Sequence, residues 1–181
     1  LGADMQSGFQ FALIATNALY TSEYDKARRW MKTVEARAER SANVQQLGWA
    51  CNIMSVADLH QGAFDSAIER SERARKIFLV ERDLVSLIIS EGIQCAALAR
   101  SGQMARALAG AGRATALVAT ARPTTWGQLE GFSGPCEVYA LAMLQGVLPR
   151  EAVPARAAPA LKGLRLFALV FPFGRARYHW I

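Results

Sequence analysis

The 181-residue chain is apolar enough to build a sizeable core: 52% of its residues are hydrophobic and 20% are charged, which excludes an intrinsically disordered protein. Three cysteines exclude a disulfide scaffold and indicate reduced thiols in a cytoplasmic compartment. No run reaches the roughly 18 consecutive apolar residues that a membrane-spanning helix needs, so we expect no membrane span.

The charge is uneven along the chain. Residues 1–91 carry 11 basic and 12 acidic side chains, whereas residues 92–181 carry ten basic and three acidic ones. A basic half is able to meet an acidic protein surface, a nucleotide or a nucleic acid, or simply to form a solvated face. Because the arginines are scattered and few aromatic residues lie between them, we expect no nucleic-acid partner.

The chain begins Leu1-Gly2-Ala3-Asp4, without an initiator methionine and without a basic-then-apolar leader. We therefore expect a piece of a longer polypeptide and not a secreted product.

The sequence repeats itself with a period of about 40 residues. Residues 22–27 (SEYDKA) align with 62–67 (GAFDSA) and 102–107 (GQMARA): each hexamer starts with a small residue, has a large residue third and ends in alanine. The segments before them are also in register, at Leu13, Ile53 and Ile93. A fixed period of this length is typical of helical-repeat proteins.

Each unit is predicted to be a pair of helices, because apolar residues recur three and four apart on both sides of the hexamer. Gly62 and Gly102 are expected to end the first helix of their pairs, and Asn43 and Asp83 to cap the start of the next. The alanine that ends each hexamer allows the two helices to approach closely. The predicted helices cover about 5–20, 24–40, 44–61, 64–80, 83–101 and 103–121.

From Arg122 onward the pattern is looser. The segment 131–135 (GFSGP) predicts a break, after which helix resumes at about 136–145, with Gly146 in the stop position. Three prolines delay the partner helix to about 160–170, and residues 172–181 are expected to start a fifth unit. The apolar surface there would then be covered by a further helix of the repeat. For the stretch 161–173 the alternative is an interfacial membrane helix.

The Gly–x–aromatic–x–x–Ala signal at the hairpin, with a small residue seven positions later at Ala74 and Ala114, resembles the tetratricopeptide repeat. The period is longer than the family's usual value of about 34 residues. Long repeats of this kind are similar to those in the C-terminal regions of bacterial adenylate cyclases and of large ATP-dependent transcriptional activators. The tail 173–177 (FGRAR) resembles a stretch near the end of such cyclase repeats.

This resemblance implies an all-α fold, a right-handed superhelix of antiparallel helix hairpins in a single domain, with the first helices lining a concave groove. Its units would cover about 5–41, 42–81, 82–121 and 123–171, with the start of a fifth at 172–181.

The resemblance also places candidate ligand or peptide contacts in the groove. Tyr20, His60 and Arg100 are polar-tipped at equivalent positions, and Asn52 opposite Gly92 would hydrogen-bond an extended peptide backbone. The alternative is that these residues are ordinary surface.

No catalytic or metal-binding pattern is found in the sequence. The glycines in 110–115 (GAGRAT) fall inside a predicted helix, where successive amides cannot turn toward a phosphate. The two histidines, His60 and His179, are 119 positions apart and lack ligands at zinc spacing. Cys136 is expected to be exposed but has no evident base. We therefore expect no cofactor, no metal and no enzymatic activity in this chain itself.

These patterns predict a protein-interaction or intramolecular regulatory scaffold, which binds a partner protein segment or upstream domains of the same chain. A cytoplasmic, bacterial signalling protein would be its context. The alternative is a small-molecule-sensing module that controls an upstream cyclase or ATPase.

Overall fold

The computed structural model describes residues 2–181, with side chains from Gly8 onward. Over this range the chain is helical and contains no β-strand, so the predicted all-α class is confirmed. The fold has two compact units, residues 1–87 and 88–181. None of the described helices combines the length and apolarity needed to cross a bilayer.

The first unit contains two helix pairs. Its helices are α1 (Gly2–Tyr20), α2 (Tyr24–Ser41), α3 (Val44–His60) and α4 (Phe64–Glu81), and the first turn of α5 (Leu84–Arg100) also belongs to it. From α1 to α4 each helix packs against the next, and α1 also packs against α3. The two alanines that end the hexamers, Ala27 and Ala67, are fully buried as predicted. Small side chains thus allow α2 and α4 to lie close to their partners.

Both predicted N-caps are present. The side chain of Asn43 accepts a hydrogen bond from the amide of Gln46 at 3.1 Å, and the Asp83 carboxylate accepts one from the amide of Ser86, also at 3.1 Å. Each bond satisfies an amide that has no partner within its own helix. The starts of α3 and α5 are therefore fixed by side chains at equivalent positions of successive repeats.

The repeat period is visible in the backbone at the ends of the first helices. Ser22, Gly62 and Gly102 have φ of 60°, 79° and 81°, the left-handed conformation that ends a helix. In the second of these turns the amide of Ala63 donates to the carbonyl of Asp58 at 2.9 Å, and the same bond recurs at the other two. The predicted stops at Gly62 and Gly102 are confirmed, and Ser22 adopts the same geometry without being glycine.

The second unit contains the rest of α5 followed by four further helices and one 3-10 turn. They are α6 (Met104–Val118), the 3-10 turn (Trp126–Gln128), α7 (Leu129–Leu144), α8 (Val153–Val170) and α9 (Gly174–Trp180). Here α7 packs against α6, α8 and α9, while α8 also packs against α6 and α9. Gly146, with φ of 69°, follows α7 in the predicted stop position.

Two boundaries in the second unit differ from the sequence-based prediction. The expected break at 131–135 is absent, because α7 runs through Pro135 as a continuous helix. The helix α8 starts at Val153 instead of about 160, with Pro154 in its first turn and Pro159 inside it. Proline fits a first turn, where no amide donor is needed, and Pro159 is exposed. Proline therefore did not delay this helix.

Candidate functional site

The five predicted groove residues are divided between the two units. Tyr20, Asn52 and His60 belong to the first unit, and Gly92 and Arg100 belong to the second. Tyr20 and His60 are exposed, whereas Asn52 and Gly92 lie in the packed interior. Of the five predicted groove residues, only some are therefore exposed to solvent.

Asn52 is a structural residue. Its side chain is 3% exposed, and its amide nitrogen donates to the carbonyl of Ser86 at 2.9 Å. Ser86 lies in the first turn of α5, directly after the Asp83 cap, so the bond joins α3 to that turn. The side-chain amide that the sequence assigns to peptide binding thus makes a hydrogen bond within the first unit.

Gly92 lies at a close contact between two helices. A Cβ atom at this position would lie 2.4 Å from the carbonyl oxygen of Glu130 and 2.5 Å from the Cα of Gly131. A Cβ on Gly134 would lie 2.2 Å from the Gly92 carbonyl oxygen. The backbones of α5 and α7 therefore touch at three glycines.

Arg100 forms an ion pair with α7. Its Nε and a terminal nitrogen donate to the two carboxylate oxygens of Glu137 at 2.6 and 2.9 Å. The hydrogen bonds to Glu137 raise the pKa of Arg100. Arg100 therefore links α5 to α7 through this ion pair.

A second arginine, on α9, pairs with Glu137 and with another carboxylate of α7, that of Glu130. Arg177 donates to Glu130 at 3.2 Å and lies 3.8 Å from an oxygen of Glu137, and both glutamates are buried. Sequence reasoning missed this cluster. The available signal was that two of the three acidic residues after position 91 lie seven apart, which places them on one face of α7.

The first unit has a comparable cluster around Asp58 of α3. This carboxylate is buried, lies 2.6 Å from Arg28 of α2 and 3.1 Å from Arg70 of α4, and accepts a hydrogen bond from Ser66 at 2.9 Å. A buried carboxylate needs such donors to offset its desolvation. The Asp58 carboxylate therefore links α3 to its two neighbouring helices, because one arginine from each of them pairs with it.

The first unit also retains a solvent-accessible surface formed by the first helices, which we call the α1–α3 face. It consists of Phe9, Ala12, Thr16 and Tyr20 on α1, with Trp49 and His60 on α3. The rings of Phe9 and Trp49 meet edge to face with centroids 6.2 Å apart. Phe9 is 52% exposed and Tyr20 is 42% exposed.

The α1–α3 face has aromatic side chains at both of its ends. Phe9 and Trp49 are equivalent in the repeat and mark one end of the face. Tyr20 and His60, which are also equivalent, are the last residues of the same two helices. On α1 the spacing of three and four residues places the face's side chains in one row. The arrangement is suited to contact with an extended or helical segment laid along the two helices.

The thiols do not form a reactive site. Cys51, Cys95 and Cys136 are buried, so the expectation that Cys136 is exposed is wrong. Burial raises the pKa of Cys136 to about 12, which keeps it protonated at neutral pH. Among the residues that the structure describes, no cluster of three or more histidine, cysteine, aspartate or glutamate side chains has the geometry to hold a metal ion.

Comparison with known proteins gives this chain no relative: no protein family, no curated protein and no solved structure matches it.

Proposed function

We propose that the chain is a tetratricopeptide-like helical-repeat module that binds a protein segment on the α1–α3 face. In this proposal the hairpins form a right-handed superhelix, and the module belongs to a larger cytoplasmic signalling protein, such as a bacterial cyclase or ATP-dependent activator. The regular recurrence of left-handed turns at Ser22, Gly62 and Gly102 supports the repeat.

The observation that carries the binding proposal is the exposure of aromatic side chains on the α1–α3 face. The side chains of Phe9 and Tyr20 are exposed to solvent, whereas smaller apolar residues of the same helix, such as Ala15 and Leu19, are buried. Aromatic side chains supply large, rigid contact areas and dominate many protein interfaces. A partner segment that covers both ends of the face would gain these contacts without rearranging the core.

The proposal is tested with peptides selected by display against the full chain. Fluorescence anisotropy then gives the Kd for the chain and for Phe9→Ala and Tyr20→Ala variants. Loss of a buried aromatic contact costs roughly 1.4 kcal/mol or more, so we expect at least a tenfold weaker Kd for each variant.

The matched control is Val80→Ala, since Val80 is 79% exposed but lies outside the α1–α3 face. We expect this variant to bind as the unchanged chain does. Peptides that bind the double variant Phe9→Ala/Tyr20→Ala with undiminished affinity would refute the proposed face. If no peptide binds and small metabolites raise the melting temperature instead, the sensing alternative replaces the scaffold.

A further inference from the structure

The solvent-exposed side chains of α8, in the second unit, differ in character from those of α6. The exposed side chains of α6 are small or basic, such as Ala109, Gly112 and Arg106. On α8, large apolar side chains are exposed in the last turns: Leu166 at 40%, Leu169 at 64% and Val170 at 49%. The opposite side of α8 is buried in the unit, so these residues lie on a face that the unit itself does not cover.

Basic side chains accompany these apolar ones. Lys162 lies one turn before Leu166, and Arg165 lies one turn before Leu169, so charge and apolar surface occupy the same rows of the helix. We call Lys162, Arg165, Leu166, Leu169 and Val170 the α8 ridge. Within the described part of the chain, neither Lys162 nor Arg165 has an acidic partner.

The second unit offers almost no exposed negative charge to the ridge. Of its four carboxylates, Glu91, Glu130 and Glu137 are buried and paired with arginines. The fourth, Glu151, precedes α8 and lies about 20 Å from Leu166 along the helix axis. The only charged side chains of the ridge are therefore basic, and they are electrostatically complementary to an acidic partner.

We propose that the α8 ridge binds an amphipathic helix of another protein or domain, one with leucine-like residues along its contact face and carboxylates beside them. This second surface does not depend on the α1–α3 face. Rows spaced by three and four residues fit the ridges and grooves of another helix.

Two other occupants fit the ridge less well. A second copy of this chain would place Lys162 and Arg165 opposite like charges. A lipid surface is matched best when basic residues keep to the polar side of a helix, whereas Lys162 lies in the same row as Leu166 and Val170. Carboxylates on a partner helix would pair with Lys162 and Arg165, while the leucines of that helix would cover the apolar residues of the ridge.

The test uses the full chain and a synthetic helical peptide with leucine at heptad contact positions and glutamate at the flanking ones. We expect saturable binding by fluorescence anisotropy, weakened about tenfold or more by the double variant Lys162→Glu/Arg165→Glu and by Leu169→Ser. The same peptide with lysine in place of glutamate should bind at least tenfold more weakly.

The charge control is Arg122→Glu, an exposed position in the same unit but outside α8, which should leave the Kd unchanged. Tyr20→Ala should also leave it unchanged, and this separates the result from that for the α1–α3 face. Absence of saturable binding, or equal loss in Arg122→Glu, would overturn the proposal. So would binding of the unchanged chain to phosphatidylserine-containing vesicles, lost in Lys162→Glu/Arg165→Glu, without binding to the glutamate peptide.

Discussion

At the scale of single residues, glycine sets how closely α5 and α7 approach. Gly92 and Gly131 bring the two backbones into direct contact, so an added methyl group meets main-chain atoms and not a movable side chain. Because backbone cannot be displaced without moving a whole helix, substitution here strains the second unit. Gly112 of α6 is the contrasting case, since a Cβ there would meet nothing within 4 Å.

We therefore expect Gly92→Ala to lower the free energy of unfolding by about 3 kcal/mol, because overpacking outweighs alanine's better helix propensity. Gly112→Ala should instead raise it by up to about 1 kcal/mol, since only the propensity changes. Urea denaturation followed by circular dichroism measures both. Equal effects of the two substitutions would contradict the close backbone contact.

At the scale of elements, the short helix α9 is attached to α7 by charge as well as by packing. Arg177 reaches Glu130 and Glu137, and the buried Gly174 lies against the ring of Phe167 on α8. A seven-residue helix is too short to be stable by itself. Its order therefore depends on these contacts.

Removing the Arg177 guanidinium is expected to loosen α9. The variant Arg177→Met keeps the apolar stem but leaves the buried Glu130 without this cation, at a cost of about 2 kcal/mol, allowing for the partial exposure of Arg177. Hydrogen exchange should then speed up in residues 174–180, while Arg175→Met, at an exposed position, should leave it unchanged. Unaltered exchange in Arg177→Met would show that packing alone holds α9.

At the scale of the whole molecule, the net positive charge of the chain lies entirely in the second unit. Residues 1–87 carry 11 basic and 11 acidic side chains, and residues 88–181 carry ten and four, so the second unit accounts for the entire +6. The first unit holds opposite charges in direct contact at its surface, such as Lys26–Glu23 at 2.9 Å and Arg73–Glu35 at 3.5 Å. Salt weakens such attraction and also weakens repulsion among like charges.

The two units should therefore respond to salt in opposite directions. In 1 M sodium chloride, at which the screening length is about 3 Å, we expect the opening free energies from amide exchange to rise in the second unit and to fall in the first, each by a few tenths of a kcal/mol. The difference between the two units is the quantity to compare, because it cancels any effect of the salt that is common to both. Equal shifts of the same sign would refute this charge-based account.

The sequence by itself determined the features that depend on near neighbours along the chain. The repeat period, the caps at Asn43 and Asp83, and the stops at Gly62 and Gly102 follow from rules that operate within a few residues, and all appear in the structure. The all-α class follows from the same local periodicity.

Features that depend on residues far apart in the chain were decided only by the tertiary structure. Segment 131–135 is helical and its glycines contact the backbone of α5, and Asn52, Gly92 and Arg100, which the sequence assigns to a groove, make contacts within the fold. A sequence pattern places a side chain on a face of its helix, but it does not specify which neighbour covers that face. Burial and pairing depend on residues far away in the chain, as with Arg100 and Glu137.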